Sequence, residues 1–108
     1  MLAEPLTSDT ILRILRRELP ALRKQFGVKD IALYGSFAKG RATPESDIDL
    51  VVSFEAPIGL AFVALAEQLE SLLGRRVHLV TLDTVTRGLG IPRYRHVALD
   101  IQETLIYA

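Results

Sequence analysis

Asp47 and Asp49 stand two residues apart in Ser46-Asp47-Ile48-Asp49-Leu50. Around them Ile48, Leu50, Val52 and Phe54 alternate with Asp47, Asp49, Val51 and Ser53, the pattern of a β-strand with two unlike faces. Residues i and i+2 of a strand project from one face about 6.5 to 7 Å apart, so the two carboxylates point the same way. Two such charges repel unless a cation sits between them. Mg²⁺ suits the position, because it prefers carboxylate oxygen and completes its shell with water and substrate phosphate. Asp47 and Asp49 are therefore the candidate metal ligands, in a site with the chemistry of a nucleoside triphosphate.

Twelve residues upstream of Asp47 begins Gly35-Ser36-Phe37-Ala38-Lys39-Gly40-Arg41. Gly35 permits a tight turn, and the N–H groups that follow open a short helix, where unpaired donors and the helix dipole favour phosphate. Ser36 adds a hydroxyl. Lys39 and Arg41 could neutralise a leaving pyrophosphate, Arg with a bidentate grip. Each part has an ordinary counterpart: a Gly-Ser turn or a D-x-D strand alone is a weak signal, and Lys39 and Arg41 alone read as solvated loop charges. Together, at this spacing, they read as a nucleotide site, with Gly35, Ser36, Lys39 and Arg41 on the phosphates. No aromatic cluster selects one base over another, and the expected role of the flanking Tyr34 and Phe37 is core packing.

These residues need a scaffold. Ser8-Asp9-Thr10 offers N-cap side chains ahead of Ile11, Leu12, Ile14, Leu15 and Leu19, which recur at helical spacing. Pro20 should kink or divide that helix, while Leu22 and Phe26 keep the period and Gly27 supplies a stop. Residues 28–34 read as a short strand ending at Gly35. The polar run Gly40-Arg41-Ala42-Thr43-Pro44-Glu45-Ser46 is a loop before the D-x-D strand. Residues 57–73 form a Leu/Ala-rich helix closed by Gly74, with more apolar residues than one stripe needs; it packs across the sheet, or in part against a partner. Residues 76–81 are a third strand that buries Val77 and Leu79 and turns His78 to the other face. Residues 92–107 read as a last helix, or one whose end is in β conformation, with His96 a solvated residue on it.

At 108 residues the chain is long enough for one hydrophobic core and too short for two ordinary ones, so a single domain over residues 1–108 is expected. Thirteen Lys plus Arg balance thirteen Asp plus Glu, which leaves no basic field for non-specific nucleic-acid binding. Hydrophobic residues make up 49% of the chain, at the upper edge of the usual range, and point to a partner subunit. The lack of Cys rules out a disulfide framework and a thiolate zinc site. Glu4, Pro5, Asp9 and Arg13 break any signal-peptide run, and no segment approaches the roughly 20 apolar residues of a membrane span, so a cytoplasmic location is expected. The absence of Asn and Cys, the single Met and the excess of Arg over Lys fit either a thermophilic source or a GC-rich genome.

The stretch from Gly35 to Leu50 resembles the signature of the DNA polymerase beta-like nucleotidyltransferase superfamily, a G-S turn followed at a fixed interval by D-x-D. With Phe26-Gly27-Val28 before it and Leu73-Gly74-Arg75-Arg76-Val77-His78-Leu79-Val80 after it, nearly the whole chain is similar to the minimal nucleotidyltransferases. The resemblance implies an α/β (α+β) fold, a small mixed sheet with helices against one face. It also implies Mg²⁺ and ATP, transfer of AMP to a hydroxyl on a partner protein, and a role as antitoxin to a HEPN-domain toxin.

That family normally carries a third carboxylate on the neighbouring strand, and His78 occupies its place here. Three readings are open: a degenerate position in a nucleotide-binding antitoxin that acts by binding alone, a base or ligand in an active enzyme, or a polar bystander. Imidazole is a poor Mg²⁺ ligand, better suited to Zn²⁺ or Mn²⁺, and can accept a proton. Asp83, five residues on, is a further candidate for the missing carboxylate. Asp47, Asp49 and His78 form the candidate catalytic set. An antibiotic-modifying transferase is the weaker enzymatic alternative, since 108 residues are expected to leave no second domain to form an acceptor pocket.

Overall fold

The structure, a computed structural model, describes residues 6–108. Its elements run α1 (Ser8–Phe26), β1 (Val28–Tyr34), α2 (Gly35–Ala38), β2 (Ile48–Phe54), α3 (Ala61–Leu73), β3 (Val77–Thr81), α4 (Leu82–Leu89), α5 (Arg95–Thr104) and β4 (Ile106–Tyr107).

The cap of α1 is Thr7, whose hydroxyl accepts from the Thr10 N–H, one position before the expected cap residues. Pro20 does not divide α1. It lies on the exposed side, while Leu15, Leu19, Leu22 and Phe26 on either side of it are buried, and their packing offsets the backbone bond that proline cannot donate. Gly27 then ends the helix with φ of 71°, and its N–H closes on the Arg23 carbonyl.

The four strands form one sheet in the order β3-β2-β1-β4. β1 pairs antiparallel with β2 and with β4, whereas β2 and β3 are parallel. The parallel pair requires a crossover, which α3 provides. The sheet is therefore mixed and the fold α+β, as the resemblance implies.

Ile31, Leu33, Ile48, Leu50, Val52, Val77 and Leu79 face α1 and α3 in the main core. On the other face Tyr34 and Val51 pack with Val85 of α4 and Ala98 of α5. Helices thus lie on both faces, which corrects the one-face expectation: the long pair covers one side, and the shorter α4 and α5 cover part of the opposite side, the one that carries Asp49.

Two further features differ from the sequence reading, and of its two readings of the C-terminal end the β ending is the one found. α3 begins at Ala61, because the turn through Gly59 (φ 57°) precedes it and no side chain caps an earlier start. α4 was not expected at all. The last helix stops at Thr104 and the chain adopts the β ending, Ile106 pairing with Leu33. α3 buries Leu65, Leu69 and Leu73 in a single stripe and leaves Val63 exposed, next to an almost fully exposed Leu60. Among the described residues no helix is long and apolar enough to cross a membrane.

Candidate functional site

Three strands bring Tyr34, Asp49 and His78 into one row. Asp49 on β2 is paired with Tyr34 on β1 and with His78 on β3. The imidazole Nδ1 lies 3.4 Å from Asp49 Oδ1, with His78 largely exposed and the Asp49 side chain 24% exposed. Asp47, at the end of the loop immediately before β2, is exposed, and its charge acts on Asp49.

Gly35 follows Tyr34 directly, so the turn starts where the row ends. Its φ is 74°, in the region that side chains rarely adopt, and its α-carbon is packed against the Asp49 side chain. A Cβ there would overlap Asp49 Oδ2 and lie 3.0 Å from Cγ. The turn and the D-x-D strand are built against each other, and only glycine leaves room for both. No side chain caps the start of α2. The turn is closed from behind, with the Lys39 N–H on the Gly35 carbonyl at 3.0 Å and the Arg41 N–H on the Ser36 carbonyl at 2.8 Å.

Two residues that the sequence did not single out hold this arrangement. Phe37 is buried, and the Arg75 guanidinium stacks over its ring at 5.5 Å. The same Arg75 donates to the Thr43 and Ser46 carbonyls at 3.4 and 3.3 Å, so the loop that delivers Asp47 is tied to the start of β3. Within that loop the Thr43 N–H donates to Ser46 Oγ at 2.8 Å. Asp100 on α5 is the second: Lys39 Nζ lies 3.0 and 3.2 Å from its two carboxylate oxygens. Lys39 is thus already paired across a long stretch of chain. Among the described residues Arg41 forms no ion pair, and it is exposed. Asp83 lies on α4 and pairs with Arg87, outside the row, and His96 is an exposed residue of α5.

Electrostatics single out Asp49. Burial pushes its carboxyl above the ordinary aspartate range and the Asp47 charge adds to the rise, while the nearby His78 pulls it back. Burial, reinforced by the Asp49 charge, pushes the Tyr34 phenol up to about 12. A half-buried carboxylate with a second one beside it is a place that a cation would relieve. Among the described residues no three His, Cys, Asp or Glu side chains gather into a metal cage. Two carboxylates with open positions for phosphate and water are the donor set that Mg²⁺ accepts, so the residues present fit that ion.

The chain matches the family model described as "Nucleotidyltransferase domain" over residues 12–105, which include the turn, the loop and the D-x-D strand. It is 41% identical over 93 residues to the protein adenylyltransferase MntA of Thermococcus cleftensis, covering 85% of this chain and 94% of that one. A Methanocaldococcus jannaschii protein provisionally named a protein adenylyltransferase is 38% identical over 104 residues, covering 94% and 97%. A solved structure provisionally identified as a minimal nucleotidyltransferase superposes with a TM-score of 0.66 at 31% identity, over 96% of this chain and 98% of that one. A mutant of the toxin–antitoxin pair MntA-HpeT shares the fold at 24% identity, with a TM-score of 0.58 over 96% and 72%. The family-model match over most of the chain, with relatives of 38 to 41% identity covered almost end to end, shows that the chain belongs to the nucleotidyltransferase domain family.

Proposed function

We propose that this chain transfers AMP from ATP to a hydroxyl on a partner protein, and that the partner is a HEPN-domain toxin to which it acts as antitoxin in the cytoplasm. The observation that carries the reading is the contact of Gly35 with Asp49, which fixes a phosphate-accepting turn against a pair of metal-seeking carboxylates. Similarity to a protein adenylyltransferase over most of both chains supports the choice of AMP. The toxin partner rests on the family resemblance.

In this reading Asp47 and Asp49 hold Mg²⁺, which when bound supplies charge neutralisation on the α- and β-phosphates. The N–H groups after Gly35 and the Ser36 hydroxyl take the phosphate oxygens, and their fixed direction removes the cost of reorganising donors as charge develops. Lys39 and Arg41 face the pyrophosphate end. The acceptor oxygen bonds to the α-phosphorus as the bond to the bridging α,β-oxygen breaks, and pyrophosphate leaves with that electron pair. The acceptor proton needs a base. His78 turns one ring nitrogen to Asp49 and is otherwise exposed, so its second nitrogen is open to an incoming hydroxyl. Asp49 would then orient the imidazole as well as bind metal.

A second reading, neutralisation by binding alone, has its own support. His78 stands in the place of the family's third carboxylate and contacts Asp49, where it competes with a cation. Between α4 and α5 an apolar groove of about 400 Å³, lined by Val80, Val85, Ile91, Tyr94 and Val97, is available to a protein surface.

Mass spectrometry separates the two. The proposed HEPN-type partner, taken from the genes beside this one where such a neighbour is present, would be incubated with ATP, Mg²⁺ and the wild type, Asp49→Ala or His78→Asp. A gain of AMP mass with wild type, lost in Asp49→Ala, is the expected result. A gain only with His78→Asp would leave binding as the natural function.

A further inference from the structure

We propose that Asp100 is a positioning residue for the phosphate end of this site: it holds Lys39 in the nucleotide-free protein and takes it back as pyrophosphate leaves. The inference rests on the nucleotide-site reading above and deepens it.

Lys39 and Asp100 are 61 positions apart in the chain, and their two contacts, at 3.0 and 3.2 Å, join the end of α2 to the outer side of α5. The carboxylate is not on a loose loop. Ala98 of α5 is buried against the Tyr34 and Val51 cluster and Ile101 packs on the same group, so α5 is seated on the face that carries Asp49. Lys39 sits four residues after Gly35, and its N–H closes the turn. The ammonium is therefore anchored at its root by the turn and at its tip by α5.

An exposed pair of this kind contributes little to stability, since the Asp100 side chain is 58% exposed and water competes for both charges. Its effect on an anion at the turn is larger in proportion. A triphosphate brings several negative charges to Lys39 and displaces one carboxylate, which then remains a few ångströms from the phosphates and repels them. Binding is weakened by that competition, and release is helped by the same carboxylate when pyrophosphate goes. Arg41 has no such partner among the described residues, so the two cations of the loop differ: Arg41 is a free attractor and Lys39 is one on a tether.

The test is calorimetric titration of the full chain with Mg²⁺ and inorganic pyrophosphate, and separately with Mg²⁺ and ATP. Wild type, Asp100→Asn, Lys39→Met and the double variant would be compared. Asp100→Asn keeps the shape and removes only the charge. It is expected to tighten pyrophosphate binding by roughly three- to ten-fold, the size of one exposed charge near a phosphate. In the Lys39→Met background the same substitution should change affinity by less than about half as much on the logarithmic scale, and Asp100→Glu should restore wild-type affinity. Unchanged or weaker binding in Asp100→Asn, or an equal change in both backgrounds, overturns the proposal. A lowered melting temperature with unchanged affinity also overturns it, because it would make the pair a simple tie between helices. No binding by the wild type would sink the nucleotide-site reading itself, and this proposal with it.

Discussion

Gly35→Ala isolates the contact on which the site is built, and Gly27→Ala is its internal control. Both glycines have nearly the same conformation, φ of 74° and 71°. A left-handed residue with a Cβ costs about 1 to 2 kcal/mol, and at Gly27 that is the whole effect, since nothing lies within 4 Å of the added carbon. At Gly35 the added carbon meets Asp49 Oδ2, Cγ and Cβ. Relief requires a shift of the carboxylate or the turn on the order of 1 Å, and overpacking of this kind adds about 1 to 3 kcal/mol. A displacement of that size in reacting geometry costs about a hundred-fold in rate. Thermal melts should show Gly27→Ala lowered by about 4 to 8 °C per kcal/mol lost, and Gly35→Ala lowered further. Titration with ATP and Mg²⁺ should show affinity kept in Gly27→Ala and lost in Gly35→Ala. If the two variants melt together and bind alike, Gly35 is only a turn residue and the contact with Asp49 has no functional meaning.

Further outcomes follow from the same geometry. The Tyr34 phenol, raised to about 12 in the folded chain against 10.0 in the unfolded one, contributes stability that is intact below pH 10 and lost as pH rises toward 12. Two units correspond to about 2 to 3 kcal/mol, so urea melts of Tyr34→Phe should lose less stability than wild type between neutral and strongly alkaline pH. Arg75→Met removes two loop hydrogen bonds and the stacking on Phe37. A loss of about 1 to 2 kcal/mol is expected, with faster proteolysis at residues 41–46 and weaker nucleotide binding, because the loop that aims Asp47 is then held less firmly.

Much of the scaffold was legible because long periodic segments leave little choice. α1, α3 and the three longer strands each repeat their apolar residues at one period, and alternation alone turned His78 toward the face of Asp49, where the register places it. α4 escaped because Thr84, Val85, Thr86 and Gly88 are weak helix formers and only Val85 is buried. Its one signal was the Thr81 cap on the Thr84 N–H, with Asp83 in the first turn. β4 is two residues long and exists by pairing with β1, a long-range event that no local pattern encodes. The covering of the second sheet face was missed along with α4, which packs there beside α5. In the site, residue types and spacing singled out Gly35, Asp47 and Asp49, and the fold sets Gly35 against Asp49. They did not single out Asp100, since only the fold brings it to Lys39. Arg75 preceded β3 as an ordinary charge, and its role depends on Phe37 and on two carbonyls elsewhere in the chain.

The most direct measurement compares ATP radiolabelled at the α-phosphorus with ATP radiolabelled at the γ-phosphorus, each incubated with the chain, Mg²⁺ and the proposed HEPN-type partner. Nucleotidyl transfer on Asp47 and Asp49 predicts label on the partner from the α-position alone, absent when Asp49 is replaced by Asn. Label from the γ-position, or label that survives Asp49→Asn, would contradict the account.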